Sequence, residues 1–221
     1  MTIHKSNTPD RQTYLKRLNN DLAHSATFSE TNVMPIIAKQ LLIEDYICCE
    51  NANPETETEL YNLDREYGAD FIGFLKGSDK PVLFSTRVLN GFQDTITMRA
   101  ISYTGEEVEL DKRRKQFASG ELSKSRYFTV QAFINKEQGI LFDIYVVKTA
   151  DLVDYIDAGH KHQMCVNKEE GNVFAAMKID DLKTAGVKVA KIVITDRAAF
   201  EKELLKKYRT ELRAALVSIS K

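Results

Sequence analysis

The residues with the clearest chemical potential lie at two short apolar runs in the first half of the chain. Asp70 is a carboxylate at the start of the first run, 71–75. Ser85 and Arg87 lie within the second run, 82–89. Because side chains alternate between the two faces of a strand, Ser85 and Arg87 are predicted to share one face. An acid that faces a base across two paired strands is a candidate functional site, with Asp70 and Arg87 as its members.

A hairpin is predicted to position these residues. Residues 76–81 read Lys-Gly-Ser-Asp-Lys-Pro, a polar break typical of a short turn between two strands. The strongest strand patterns follow at 127–134 and 139–147, which are rich in aromatic and β-branched residues and should pair antiparallel at the centre of a sheet. Residues 50–59 have no large apolar side chain and are predicted to form an exposed connection. Further strands are predicted over 93–102, 173–179 and 187–195, and helices over 12–22, 29–49, 150–156, 180–185 and 198–220.

These elements predict one α+β domain over residues 1–221, with a central mixed, mostly antiparallel β-sheet flanked by helices. Hydrophobic residues make up 43% of the chain and charged residues 29%, which is typical of a globular protein. The 31 basic and 32 acidic side chains nearly cancel, so binding to nucleic acid would need a local basic patch. The densest run of basic residues lies within 106–126.

The hydropathy and cysteine patterns predict a cytoplasmic protein that does not insert into a membrane. No apolar stretch approaches the roughly 20 residues that a membrane span needs. The first residues, Met-Thr-Ile-His-Lys-Ser-Asn, lack the hydrophobic core of a signal peptide. The three cysteines, Cys48, Cys49 and Cys165, have no metal-ligand spacing and fit reduced thiols.

The order of these elements resembles the restriction-endonuclease-like superfamily, the PD-(D/E)XK nucleases. The shared features are an amphipathic helix, an acid at the start of a strand, and a polar pattern in the next strand, here Asp70 and then Ser85-Thr86-Arg87. In that family the first Asp binds a magnesium ion, a carboxylate two residues before a Lys supplies a second ligand, and the Lys orients the attacking water. The resemblance covers about 31–156. It implies a restriction-endonuclease-like fold there, magnesium at Asp70, and 157–221 as a C-terminal extension.

The chain departs from the family pattern at two positions. Ser85 stands where the second carboxylate is expected, and a neutral hydroxyl is a poor ligand for a hard cation. Arg87 stands in the place of the Lys and keeps a positive charge, but it cannot exchange a proton near neutral pH. A carboxylate from elsewhere would then complete the site, and Glu59 is the working choice beside Asp70 and Arg87. The acidic residues near enough in sequence to supply it are Glu59, Asp64, Glu66, Glu107 and Glu109.

Two hypotheses from different functional classes follow. In the first, the protein is a nucleic-acid-binding, metal-dependent phosphodiesterase, encoded by a phage or mobile element. The nucleic-acid backbone would contact Arg113, Arg114, Lys124 and Arg126. In the second, a nuclease-like fold without chemistry binds a protein partner or assembles as a homo-oligomer.

Structural interpretations compete with a functional role at each of these residues. Asp70 is also suited to a turn at the start of a strand. Arg87 is also suited to a half-exposed position in a strand, where it would pair with an acid across the sheet. The basic run 112–115 follows several acidic residues and is also suited to a solvated helix face.

Overall fold

The described part of the chain folds into a six-stranded sheet, a three-stranded sheet and several helices. The computed structural model describes residues 25–50, 52–91, 93–101, 107–166, 172–196 and Lys202. Its strands are β1 (Ile43–Cys48), β2 (Phe71–Leu75), β3 (Pro81–Asn90), β4 (Thr95–Ile101), β5 (Tyr127–Asn135), β6 (Ile140–Lys148), β7 (Gln163–Val166), β8 (Val173–Lys178) and β9 (Val189–Val193). Its helices are α1 (Met34–Leu41), α2 (Thr58–Tyr67), α3 (Glu109–Ser119), α4 (Thr149–Asp157) and α5 (Ile179–Thr184), and a π-helical turn, Ser29–Val33, precedes α1.

The six-stranded sheet is mixed and mostly antiparallel, as the sequence predicts. Its strand order is β1-β2-β3-β5-β6-β9, in which β3 and β5 are parallel and every other neighbouring pair is antiparallel. The predicted hairpin is confirmed as β2 and β3, and the predicted central pair is confirmed as β5 and β6. A parallel pair needs a long crossover connection. Here the crossover between β3 and β5 contains β4 and α3.

Alternation along the strands of the six-stranded sheet buries both of its faces. On one face, Ile37 of α1 packs in a cluster with Phe71 and Phe84. On the other face, Tyr145 packs in a second cluster with Leu152 of α4 and with residues of β4 and β8. A strand buried on both faces is nearly continuous in apolar residues, which explains the strong pattern at 127–134 and 139–147.

A side chain of the six-stranded sheet caps strand β4, at the edge of the three-stranded sheet. That sheet has the order β4-β8-β7, so one edge of β4 has no neighbouring strand in the part of the chain that the structure describes. Gln131 of β5 is fully buried, and its Oε1 accepts hydrogen bonds from the backbone N–H of Thr97 at 3.0 Å and from the Thr97 hydroxyl at 3.1 Å. Its Nε2 donates to the carbonyl of Thr95 at 2.5 Å. Gln131 therefore satisfies backbone groups that would otherwise be buried without partners.

The helix predicted over 29–49 is wrong in its second half. Helix α1 ends at Leu41, and Leu42 adopts a left-handed conformation with φ of 55°. Residues 43–48 instead form the edge strand β1, which pairs with β2. Tertiary pairing overrides local periodicity here, because an isolated apolar pattern of this length fits a helix or a strand. No helix was predicted where α2 forms. The first two residues of α2 fall within the predicted exposed connection 50–59.

The C-terminal third contributes to both sheets. Strand β8 pairs with β4, and β9 pairs with β6, at the positions predicted for strands. Helix α5 occupies the predicted helical turn at 180–185, and α4 the helix predicted at 150–156. The helices predicted over 12–22 and 198–220 lie outside the described residues, apart from Lys202. None of the described helices is both long enough and apolar enough to span a membrane.

The role of Gln131 predicts a large loss of stability on its removal. Gln131→Ala should lower the free energy of unfolding by about 2–4 kcal/mol, because it leaves buried backbone groups of β4 unpaired. Chemical denaturation measures the change. The exposed Gln138, in the turn between β5 and β6, provides the matched control, and Gln138→Ala should change stability little. Equal losses in the two variants would contradict the capping role.

Candidate functional site

The end of α2 determines where Asp70 lies. The helix ends at Gly68, whose φ of +53° favours glycine. A Cβ atom at this position would lie 2.5 Å from a guanidinium nitrogen of Arg113. The hydroxyl oxygen of Tyr127 lies 2.8 Å from the carbonyl oxygen of Tyr67 and 2.6 Å from that of Gly68. The chain is thus fixed just before Asp70, the residue that precedes β2.

Asp70 bonds to Thr86, and not to Arg87. The backbone N–H of Thr86 donates to Asp70 Oδ2, and the Thr86 hydroxyl oxygen lies 3.1 Å from the same atom. The Thr86 hydroxyl oxygen also lies 3.2 Å from the Oγ of Ser29, a fully buried residue of the π-helical turn. π-helical turns are frequent at functional sites. Asp70 is therefore held on the α1 side of the sheet.

Two further carboxylates, Glu50 and Asp64, act on Asp70. Burial raises the pKa of Asp70 well above its ordinary value, the charge of Glu50 raises it further, hydrogen bonds from Thr86 lower it, and Asp64 adds a smaller upward effect. Burial and the charge of Asp64 raise the pKa of Glu50 to about 7. Burial also raises the pKa of Asp64. We call Glu50, Asp64 and Asp70 the carboxylate cluster.

The backbone next to Glu50 joins the cluster to the sheet. The N–H of Cys49 donates to the carbonyl of Asp70 at 2.7 Å, which extends the pairing of β1 with β2 by one residue. Burial, followed by the charges of Cys48, Asp64 and Asp70, raises the pKa of the Cys49 thiol to about 12. Cys49 is therefore a neutral thiol at physiological pH rather than a nucleophile.

Arg87 lies in a different environment from Asp70. Successive strand residues point to opposite faces, so Arg87 points away from the face of Thr86. Its guanidinium forms an ion pair with Glu109 of α3, and their side chains are 20% and 13% exposed. The predicted pairing of Asp70 with Arg87 across the hairpin is therefore wrong. Arg87 does form an ion pair, but its partner lies on a helix rather than across the sheet, and its side chain is mostly buried rather than half-exposed. Ser85 is buried, with 9% of its surface exposed.

The working choice of Glu59 as the second carboxylate is not favoured by its position. Glu59 lies in the first turn of α2 and is exposed. Asp64, a further candidate from the sequence, is the α2 carboxylate whose charge acts on Asp70. Sequence reasoning missed Glu50, because its approach to Asp70 depends on β1 pairing with β2, where a helix was predicted.

Arg113 does not lie on the surface where a nucleic-acid backbone would contact it. Its side chain is 2% exposed. It donates to Gln116 Oε1 at 2.7 Å and to the Tyr127 hydroxyl at 2.8 Å, and its guanidinium carbon lies 4.5 Å from the centre of the Tyr127 ring. Arg113 therefore has a structural role under the turn at Gly68.

The other predicted phosphate contacts have partners within the protein. Arg114 pairs with Asp157 at 2.5 Å and Lys124 with Asp154 at 3.2 Å, so both bind acids of α4. Arg126 donates to the carbonyl of Lys80 at 2.7 Å. Because these ion pairs are exposed, a polyanion could exchange with the acids at modest cost.

The carboxylate cluster is not a preformed metal site. Within the described ranges, no three His, Cys, Asp or Glu side chains are grouped closely enough to hold a metal ion as they stand. The carboxylates of the cluster are desolvated and repel each other. Protons or a bound cation would therefore stabilise them. Such perturbed carboxylates are concentrated at functional sites of proteins.

The raised pKa of Glu50 predicts stability that falls as the pH rises. An acid whose pKa is higher in the folded state binds more protons there, so the free energy of unfolding decreases between the unfolded and folded pKa values. For Glu50 that window extends from about 4.3 to about 7. Glu50→Gln should remove part of the decrease between about pH 5 and about pH 7, measured by urea denaturation. The exposed Glu59→Gln variant should keep the wild-type decrease. The same pH dependence in both variants would contradict the effect of burial on Glu50.

The chain was compared with family models, curated proteins and solved structures. No family model, no curated protein and no solved structure matches this chain. The assignment of a function therefore depends on the contacts of the carboxylate cluster and of the strands around it.

Proposed function

We propose that the protein is a nuclease-like, metal-dependent phosphodiesterase whose functional centre is the carboxylate cluster. The observation that supports this most is the position of Asp70, at the entrance to an inner strand of the sheet, with Glu50 and Asp64 close enough to raise its pKa. A cluster of desolvated carboxylates is costly for a fold to keep. A divalent cation would offset that cost.

The chemistry of the donor set fits magnesium. Carboxylate oxygens are the ligands that a hard cation prefers. Both bonds from Thr86 reach Oδ2 of Asp70, which leaves Oδ1 available among the described residues. Glu50, Asp64 and Asp70 would hold the ion, and their side chains would have to draw together around it. A bound magnesium ion polarises a phosphate and lowers the pKa of a bound water.

The remaining parts of the chemistry belong to the chain itself. The N–H and hydroxyl of Thr86 hold the Asp70 carboxylate in one orientation, and orientation of this kind accelerates reactions. Glu50, whose pKa burial raises to about 7 in the protein without metal, would release its proton when the ion binds. These roles resemble those of nucleases, with phosphodiesters of a nucleic acid as the substrate.

The order of the elements supports a restriction-endonuclease-like fold as part of this proposal. Helix α1 precedes three antiparallel strands, Asp70 opens the second of them, and the chain then crosses over to β5, parallel to β3. The family resemblance predicts an acid at the start of one strand and a charged residue in the next. Thr86, rather than Ser85 or Arg87, is the residue of β3 that contacts Asp70.

The proposal predicts that substitution of Asp70 abolishes cleavage. The protein is incubated with plasmid DNA, single-stranded DNA and RNA, with magnesium, with manganese and with a chelator. Cleavage should require metal and fall by about a hundredfold or more in Asp70→Asn. Glu50→Gln and Asp64→Asn should lose activity similarly.

The exposed Glu59→Gln variant is the matched control for the choice of carboxylates. It should cleave as wild type does. Activity lost in Glu59→Gln and kept in Glu50→Gln would assign the second carboxylate to Glu59 instead. Absence of cleavage with every substrate and metal would contradict the phosphodiesterase proposal.

A second candidate function is supported by the exposed edges of the sheets. Strands β7 and β9 are edge strands of the described sheets, and an unpaired edge is a template for association with another chain. Large apolar side chains there are exposed: Met164 by 45%, Val166 by 62%, Val193 by 60% and Ile194 by 40%. A protein-binding or homo-oligomeric role without catalysis would use these edges. Val166→Lys should then reduce the mass of the complex measured by analytical ultracentrifugation.

A further inference from the structure

A second charged group of residues lies on the face of β3 opposite to Thr86. The guanidinium carbon of Arg87 lies 5.2 Å from the centre of the Phe174 ring, and that of Arg99 lies 5.8 Å from it. Arg99 of β4 is paired directly with Phe174 of β8, so the register of the three-stranded sheet places them together. Two guanidinium groups thus share one aromatic ring, as cation–π contacts allow.

Among the described residues, the negative charge at this site is smaller than the positive charge. Glu109 is the carboxylate in contact with it, and its Oε2 bonds to the guanidinium of Arg87. The same Oε2 accepts a hydrogen bond from the backbone N–H of Arg99, with 3.2 Å between nitrogen and oxygen. This bond does not involve the Arg99 side chain. Within the described ranges, two side-chain cations therefore face one carboxylate. Since Arg87 and Glu109 are mostly buried, solvent screens the excess positive charge only in part.

The side chain of Arg99 has an unsatisfied donor. Its Nε is buried, and no described residue accepts a hydrogen bond from it. A buried donor without an acceptor is destabilising, and more so when the group is charged. An anion at the Arg99 guanidinium would satisfy this donor and also balance the charge.

We propose that Arg87, Arg99 and Phe174 form an anion site that binds a phosphate group. Guanidinium forks match the geometry of phosphate oxygens, and two forks on one ring fit a group with several oxygens better than a single carboxylate. The phosphate could belong to a nucleic acid or to a small phosphorylated molecule. The site does not depend on the carboxylate cluster, which contacts the opposite face of β3.

The buried Nε–H of Arg99 provides a direct readout. Inorganic phosphate is titrated into the full chain, and the arginine Nε–H signals are followed by NMR while calorimetry gives the affinity. Phosphate should shift the Arg99 signal. Arg99→Gln should weaken phosphate binding by about tenfold, the value of one charge-assisted hydrogen bond. Arg65→Gln removes the same charge from an exposed position of α2 and should leave the affinity unchanged.

A gain-of-affinity variant separates binding from structural effects. Glu109→Gln can still accept the N–H of Arg99, but it removes the charge that competes with phosphate for Arg87, so phosphate should bind more tightly. Arg99→Lys keeps the charge and should retain part of the affinity. Thermal unfolding of each variant confirms that it is folded. Weaker binding in Glu109→Gln, or equal affinity in Arg99→Gln and wild type, would overturn the proposal.

Competition experiments identify the source of the phosphate. If an oligonucleotide displaces inorganic phosphate from Arg99, as the Arg99 signal reports, the phosphate comes from a nucleic acid. If only a phosphorylated small molecule displaces it, the phosphate comes from a small molecule. Failure of the wild-type protein to bind phosphate would overturn the proposal. Because phosphate binding is measured without cleavage, it can succeed or fail independently of the phosphodiesterase proposal.

Discussion

The parallel pairing of β3 with β5 is the constraint on which the other contacts depend. It matches Leu83 with Tyr127 at one end and Asn90 with Ile134 at the other. Parallel neighbours cannot be joined by a tight turn, so the chain between them must cross one face of the sheet. That crossover carries β4 and α3 and therefore delivers Arg99, Glu109 and Arg113. The same pairing also places the Tyr127 hydroxyl under the turn that leads to Asp70.

Strand β3 separates two environments of opposite charge. Thr86 faces α1 and binds a carboxylate within an acidic group, while the next residue, Arg87, faces α3 and β8 within a group that has excess positive charge. A one-residue change of register in β3 would exchange the two faces. Arg87 would lose its ion pair with Glu109, and Thr86 would lose its contact with Asp70. Phe84 would turn away from the core beside α1. Polar contacts and apolar packing therefore favour the same register, and the strand should be strongly specified.

The sequence predicted the elements whose patterns are set by burial alone. The pairs β2–β3 and β5–β6 have apolar patterns that few other structures satisfy, and they are confirmed. The pattern at 43–48 fits either a helix or a strand, and only pairing with β2 decides between them. The site was predicted in part for the same reason. Asp70 is identified by its place at the start of a strand, but Glu50 approaches it only through β1, and Arg113 is buried by its bonds to Tyr127 and Gln116.

The π-helical turn before α1 determines how the protein would respond to the deletion of one residue there. A π-helical turn is an α-helix that has accommodated one additional residue. Deletion of one residue within Ser29–Val33 would restore regular α-helix, and the segment before it would rotate by about 100° relative to α1. Ser29 would leave the Thr86 hydroxyl and Phe28 would leave the apolar cluster, while Met34 and Ile37 of α1 would keep their places against the sheet. A single codon therefore separates a chain that has the contact between Ser29 and Thr86 from a chain that keeps only the packing of α1.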